Sequence, residues 1–118
     1  MVRWTAAGRE GRSDMEKLTV SNALDRLAKS GADFSRLLER GAFDVGLYKP
    51  EKVDTQQAHK RDELYVIAAG TGTFECGGEK TPFAPGDALF VPAQVDHRFR
   101  DFTDDFCTWV IFFGARPS

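Results

Sequence analysis

The feature that most constrains this chain is the regular spacing of turn-forming residues after Asp33. Gly70, Gly77, Gly86 and Pro92 each mark a turn between short apolar runs. Glycine and proline recur at turns because glycine adopts positive φ readily and proline holds φ near one value. Short strands with turn signals roughly every 8–12 residues are typical of β-sandwiches and barrels. We therefore predict an all-β fold of about seven or eight strands.

Two segments show the strand pattern most clearly. Phe43, Val45 and Leu47 alternate with other residues, which predicts a half-buried strand. Residues 106–113 form the longest apolar run and are apolar on both faces. A strand with one face in water does not have this pattern, so we expect either a helix or a second subunit to cover its outer face. The second alternative predicts a homodimer.

One helix is predicted ahead of the strands, over residues 21–30. Ser21 is a suitable N-cap residue and Gly31 stands where a helix commonly ends. Its apolar residues recur at helical spacing, at Ala23, Leu24, Leu27 and Ala28. We expect this helix to pack outside the sheet. Residues 1–14 show no periodicity and are predicted to be a flexible extension, with Met15 as an alternative start, ahead of one domain over residues 15–118.

Composition excludes several classes of partner. The 118 residues carry a net charge of −2, and the basic residues are scattered, which argues against nucleic acid or an anionic membrane surface. No apolar run approaches the roughly 20 residues that span a bilayer, and no secretory signal is recognisable. Cys76 and Cys107 are far apart in the sequence and match no CxxC pattern. They could pair if the fold brings them together, but we predict that they are buried thiols. We expect a cytoplasmic protein.

The chain has two histidines, His59 and His97, each beside a turn in the strand-rich region, and Glu63 lies four residues after His59. Two imidazoles and one carboxylate suit a single divalent ion, with Fe, Mn, Ni, Co and Zn all admissible. In one extended strand the Cα atoms of His59 and Glu63 would lie about 13 Å apart at roughly 3.3 Å per residue. The chain must therefore bend at residues 60–62, which we expect to be an exposed turn after one strand and before the next.

The same residues stand in a frame that resembles the cupin family. Glu63 and Gly70 follow His59 at the spacing of the first cupin motif. Gly86, Pro92 and His97 follow the spacing of the second motif, and the 15 residues 71–85 between the motifs are as in short microbial cupins. The resemblance covers residues 57–101. It implies a jelly-roll barrel, the cupin double-stranded β-helix, with a metal ion at its mouth and the predicted helix outside.

The motifs also depart from the family pattern at a ligand position. Gln57 stands where the family has its first histidine, and Asp101 replaces the final asparagine of the second motif. The resemblance therefore implies His59, Glu63 and His97 as ligands, with Gln57 as a possible fourth. Gln56 would substitute if the chain bulges there. Alternatively, Gln57 only makes hydrogen bonds at the barrel mouth.

Strand alternation extends the site to its surroundings. Tyr65 falls on the face of the ligands, where its hydroxyl is a candidate catalytic group. An apolar pocket is expected around the ion. Its predicted lining consists of Phe43, Val45, Leu47, Ile67, Phe90 and Phe99.

Two functions fit these expectations. The first is a metal-dependent enzyme acting on a small organic molecule, because open coordination positions let an ion bind dioxygen or act as a Lewis acid. The family resemblance allows dioxygenases, isomerases, decarboxylases and lyases, and a fold does not choose among them. The second is a non-catalytic module that binds a small metabolite and uses the metal as an anchor.

Overall fold

The structure, a computed structural model, describes residues 15–114, which form one helix and eight strands. The helix α1 spans Val20–Ser30. The strands are β1 (Phe34–Arg40), β2 (Phe43–Tyr48), β3 (Asp62–Ala69), β4 (Gly72–Cys76), β5 (Glu79–Phe83), β6 (Ala88–Val91), β7 (His97–Arg100) and β8 (Cys107–Phe113). The predicted extension over residues 1–14 lies outside the described residues. No helix in the described part of the chain is long and apolar enough to cross a membrane.

The strands form two antiparallel sheets. The larger has five strands in the order β1-β2-β8-β3-β6, and the smaller has three in the order β5-β4-β7. Their facing sides enclose a core of aromatic and aliphatic side chains, and the rings of Tyr65, Phe74 and Phe99 lie against one another with centroids 4.7–5.8 Å apart. This is the expected all-β jelly-roll architecture, and it confirms the predicted number of strands.

Helix α1 covers part of the outer face of the larger sheet. Ala23 and Leu27 are buried against Leu47 and Cys107, and Trp109 packs against the same cluster. A helix thus covers the outer face of the first half of β8, as one of the two alternatives predicted. Cys107 is a buried free thiol, and Cys76 is a partly buried one.

The start of the helix differs from the prediction. Thr19, not Ser21, is the N-cap, and its hydroxyl accepts a hydrogen bond from the backbone N–H of Asn22 at 3.1 Å. The N-cap lies two residues earlier than predicted, which places Val20 in the helix, where it packs against the same apolar cluster. The predicted C-terminal glycine is confirmed, because Gly31 adopts φ 73° and its N–H bonds to the Leu27 carbonyl.

The face assignment predicted for β2 was wrong. Leu47 packs under the helix, whereas Tyr48 belongs to the core between the sheets. The apolar alternation therefore faces the helix, and the intervening residues Asp44 and Gly46 face inward. Gly46 is required there because a Cβ atom would lie 2.6 Å from both the backbone oxygen of Ser35 and the ring of Phe34.

Candidate metal centre

Three side chains from different segments converge where the two sheets open. His59 lies in the loop between β2 and β3, Glu63 is the second residue of β3, and His97 is the first residue of β7. One ligand atom from each lies within 4.8 Å of the other two. Ligands of one ion with bonds of about 2.1 Å stand up to about 4.2 Å apart, so small side-chain rotations are sufficient.

Three polar atoms of this cluster lack hydrogen-bond partners. Both carboxylate oxygens of Glu63 and the Nδ1 atom of His59 are buried without an acceptable hydrogen bond. Glu63 Oε1 nevertheless contacts His59 Nδ1, and Glu63 Oε2 lies 3.3 Å from His97 Nε2. Buried polar atoms without partners are costly. A shared cation would satisfy all of them, so these residues fit a divalent metal ion.

The tautomer of His97 is set by its second nitrogen. Nδ1 lies 2.9 Å from the carbonyl oxygen of Val95, which only accepts, so Nδ1 must carry a proton. In neutral His97 the lone pair is then on Nε2, the atom that faces Glu63. Metal-binding histidines are typically oriented in this way by a carbonyl group behind them.

The charges of the cluster are strongly coupled. Burial by itself raises the pKa of Glu63, but the adjacent His59, His97 and Tyr65 side chains outweigh burial and lower its pKa to about 2. Burial by itself lowers the pKa of His97, but the contact with Glu63 outweighs it and raises that pKa. Glu63 is therefore an anion at neutral pH and can serve as a ligand without losing a proton.

The bend predicted between His59 and Glu63 is present, with two differences. The chain bends at Lys60 and Arg61, and β3 begins at Asp62, but His59 lies in the loop of residues 49–61 and not at the end of a strand. Arg61 is not exposed: its side chain is buried and pairs with Asp44 at 2.9 Å. The predicted turn of three exposed charges is therefore wrong at Arg61, because a buried acid on β2 neutralises the guanidinium.

A network of hydrogen bonds behind the ligands begins at Asp54. This buried carboxylate accepts bonds from the Tyr48 hydroxyl at 2.7 Å, the Gln56 side-chain amide at 2.8 Å, and the backbone N–H groups of Gln56 and Phe99 at 3.0 and 2.9 Å. Because the NH₂ group of Gln56 donates to Asp54, the Gln56 oxygen faces Tyr65 and accepts a hydrogen bond from its hydroxyl group at 3.0 Å. The Tyr65 oxygen in turn lies 2.9 Å from His97 Nε2, and it accepts a hydrogen bond from that nitrogen when His97 carries a proton on both ring nitrogens.

Comparison with known proteins bears on the family of this fold. The sequence profile of the cupin domain matches residues 45–113. The chain belongs to the cupin family. An uncharacterized protein of Streptomyces coelicolor is 36% identical over 90 residues, which cover 75% of this chain and 85% of that protein.

Solved structures show the same fold in other cupins. KdgF from a Halomonas species is similar with a TM-score of 0.61 and 21% identity, over 70% of this chain and 78% of that one. An RmlC-like cupin from Shewanella frigidimarina is similar with a TM-score of 0.58 and 20% identity, over 70% of this chain and 76% of that one. These likenesses show the architecture and leave the reaction open.

Beside the candidate ligands, this cupin has a cleft of about 580 Å³. Its wall includes His59, Gln56, Tyr48 and the aromatic rings of Phe34 and Phe112. The edge of the His59 ring meets Phe112, with centroids 5.4 Å apart, and Phe112 meets Phe34 at 6.1 Å. The volume is within the range of small-molecule sites, which is roughly 300–1,000 Å³.

Several predicted wall residues of the cupin pocket lie elsewhere. Leu47 is under the helix, Val45 shares its face, and Phe43 and Phe90 are exposed at 37% and 57% on the outside of the larger sheet. Those four assignments were wrong because the interior face of β2 and β6 is the other one. The remaining two predicted residues, Ile67 and Phe99, face inward but are packed in the closed core.

The glutamine question has a clear geometric outcome. Gln57 is exposed, whereas Gln56 lines the cleft and contacts Tyr65. The structure brings Gln56, the alternative to Gln57, closer to the cluster, but its side-chain oxygen already accepts a hydrogen bond from Tyr65. A fourth ligand from either glutamine stays a prediction. Asp54 was missed, since one aspartate in a polar loop has no distinctive sequence signal. Tyr48 was missed because its strand was assigned to the wrong face.

Proposed function

We propose that this cupin binds one divalent metal ion through His59, Glu63 and His97 and is a metal-dependent enzyme acting on a small organic molecule. The observation that carries the proposal is the set of buried ligand atoms without hydrogen-bond partners at the edge of a cleft. A mixed imidazole and carboxylate set accepts Fe, Mn, Ni, Co or Zn. When bound, such an ion supplies Lewis-acid chemistry or a site for dioxygen.

The chain's own residues would prepare the cleft for a substrate. Val95 orients His97, and Asp54 orients Gln56, whose side-chain oxygen accepts a hydrogen bond from the Tyr65 hydroxyl. The lone pairs of the Tyr65 oxygen are then directed toward the ligands and can accept a hydrogen bond from a bound hydroxyl group. The aromatic rings of Phe34 and Phe112 exclude water from one side of the cleft.

The metal site is tested by the metal content of protein purified without chelator. Wild type should retain one equivalent, whereas His59→Ala and His97→Ala should retain none while circular dichroism shows the native fold. Gln57→Ala is the matched control: it is two residues from His59 but exposed, and should bind metal normally. Tight binding of one equivalent by either histidine variant would contradict this ligand set.

A non-catalytic binding module is the second candidate. It is supported by the state of Tyr65, the hydroxyl nearest to His97. Tyr65 is 0% exposed and its hydroxyl already donates to Gln56, so it does not line the cleft where a substrate would need a proton-transfer group. An ion that anchors a metabolite needs no such group.

Turnover separates the two candidates. Oxygen uptake and product formation should be measured on protein loaded with each metal, using phenols, diketones and sugar acids. Turnover that disappears in His97→Ala supports the enzyme. Saturable binding without turnover under any metal supports the module.

A further inference from the structure

The wall of the cleft beyond the candidate ligands carries more positive than negative charge. Three cationic side chains line it, Arg36, Lys60 and Arg61, beside a single exposed acid, Asp33. Basic residues are scattered over the rest of the sequence. Their concentration next to His59 therefore bears on the charge of the molecule that the cleft binds.

These cations differ in how far they are already neutralised. Arg61 is buried and paired with Asp44 at 2.9 Å, and it also bonds to the Ala42 carbonyl. Arg36 contacts two carboxylates, both through Nε: Asp44 at 3.3 Å and Glu39 at 4.0 Å. Its guanidinium lies over the Phe34 ring at 5.7 Å. Lys60 is exposed, and within residues 15–114 its ammonium group has no ion pair or hydrogen bond. Arg61 therefore has a structural role, whereas Arg36 and Lys60 remain available to a ligand.

We propose that the natural ligand carries an anionic group, a carboxylate in the first instance, which Arg36 and Lys60 bind while another part of the same molecule reaches the metal. This inference rests on the proposed metal centre and adds the charge class of its ligand. An unpaired ammonium and a half-exposed guanidinium beside aromatic rings match a small organic acid. Arginine and lysine form charge-assisted hydrogen bonds with carboxylates, which are stronger than neutral ones.

A matched pair of synthetic ligands isolates the distal charge. 4-Carboxybenzohydroxamate and 4-carbamoylbenzohydroxamate share the metal-binding hydroxamate and have nearly the same size and shape. Binding of both to the Zn²⁺-loaded protein is measured by calorimetry. Wild type should prefer the carboxylate by about tenfold, as two partly exposed ion pairs would give. The preference should shrink at high salt, because exposed charges are screened.

Variants assign the preference to the cleft. Lys60→Met and Arg36→Met should each lower the preference by threefold or more while the carbamoyl compound binds as before. Lys29→Met is the control, since it removes the same charge from the exposed last turn of the helix and should keep the full preference. Lys60→Met is expected to fold normally, because Lys60 is exposed.

The outcomes separate the two proposals. If the wild type binds no Zn²⁺ and neither hydroxamate, the metal centre is wrong. If it binds one Zn²⁺ and both hydroxamates equally, the metal centre stands and the anionic ligand is wrong. An equal loss of preference in Lys29→Met would show a general effect of net charge and would also overturn the assignment to Arg36 and Lys60.

Discussion

Two carboxylates buried at the centre of this cupin differ in the number of hydrogen bonds that they accept. Asp54 accepts four hydrogen bonds, two on each oxygen. Glu63, 0% exposed, has no acceptable hydrogen bond on either oxygen. Burying a charge is costly unless it is paired or bonded, so the two acids must be compensated differently. Asp54 is compensated within the protein, whereas Glu63 is left for the two histidines and a cation.

Replacing Asp54 by asparagine should be strongly destabilising. An amide has one NH₂ group, so two of the four donors that face Asp54 would meet a donor and remain buried without a partner. Since an unpaired buried group costs about 1–3 kcal/mol, we expect Asp54→Asn to lower the free energy of unfolding by about 3 kcal/mol. Urea unfolding of wild type and variant measures this change in the free energy of unfolding.

Two companions control the Asp54 experiment. Tyr48→Phe removes one hydrogen bond and should cost about 1 kcal/mol. Asp96→Asn, at an exposed position, should change stability by less than about 0.5 kcal/mol. The Asp54→Asn variant should also bind metal more weakly, because Gln56 and Tyr65 lose their orientation. Unchanged metal affinity would mean that Asp54 stabilises the fold but does not influence metal binding.

At this scale the sequence predicted the rare residues and missed the common ones. Two histidines in 118 residues are easy to single out, and a glutamate at a fixed spacing adds to them. Gln56 and Gln57 could not be distinguished, because alternation assigns faces only within strands and both lie in a loop. Asp54 lies in the same loop, where no period applies.

At the scale of elements, the position of the helix decides how the strands should be interpreted. An alternating strand in a one-sided sheet directs its apolar residues to the core. In β2 the apolar residue Leu47 meets the helix, and the interior receives Asp44 and Tyr48 instead. The sequence predicted the strand and the helix but not their mutual contact, which depends on long-range packing. Because the contact between the helix and β2 was not predicted, residues on the outer face of the sheet were assigned to the pocket.

The N-cap can be tested by two neighbouring substitutions. Thr19→Ala removes the hydroxyl that bonds to Asn22 and should cost about 1 kcal/mol of unfolding free energy. Ser21→Ala, inside the helix and exposed, should change it by less than about 0.5 kcal/mol. A larger loss at Ser21 than at Thr19 would place the helix start where the sequence first suggested.

Gly70 and Gly78 form a matched pair for a second test. Both have positive φ, 89° and 87°, but a Cβ atom at Gly70 would lie 2.5 Å from the Phe106 backbone, whereas Gly78 has open space. Gly78→Ala should cost about 1–2 kcal/mol through backbone strain alone. Gly70→Ala should cost at least about 3 kcal/mol, because crowding is added to the strain. Equal losses in thermal unfolding would contradict the close approach.

At the scale of the whole molecule, the outer face of the larger sheet has an unusual composition. One row of apolar side chains crosses all five strands in register. It consists of Leu38, Val45, Ile111, Leu64 and Phe90. In the neighbouring row Phe43 pairs with Phe113, and both are more than one-third exposed. The helix covers the other end of this face, so these two rows form an apolar patch on the described surface.

We propose that a second copy of the chain covers this patch. Such a contact is isologous, since the same rows would meet across a two-fold axis. Wild type should have the mass of a dimer at micromolar concentration by light scattering, and Ile111→Lys should have the mass of a monomer. Thr81→Lys, on the exposed strand β5 of the other sheet, should remain dimeric. A monomeric wild type would contradict the proposal.

The two histidines belong to segments that are tied to each other. The carbonyl of His59 accepts a hydrogen bond at 2.7 Å from the backbone N–H of Gln94, three residues before His97. Next to it, the Ala93 N–H bonds to the Asp62 carboxylate at 2.8 Å. Anyone who transplants this centre into another scaffold, or exchanges loops between cupins, must therefore move both segments as one unit. A graft of either histidine segment alone would separate it from the partner that holds its backbone in register.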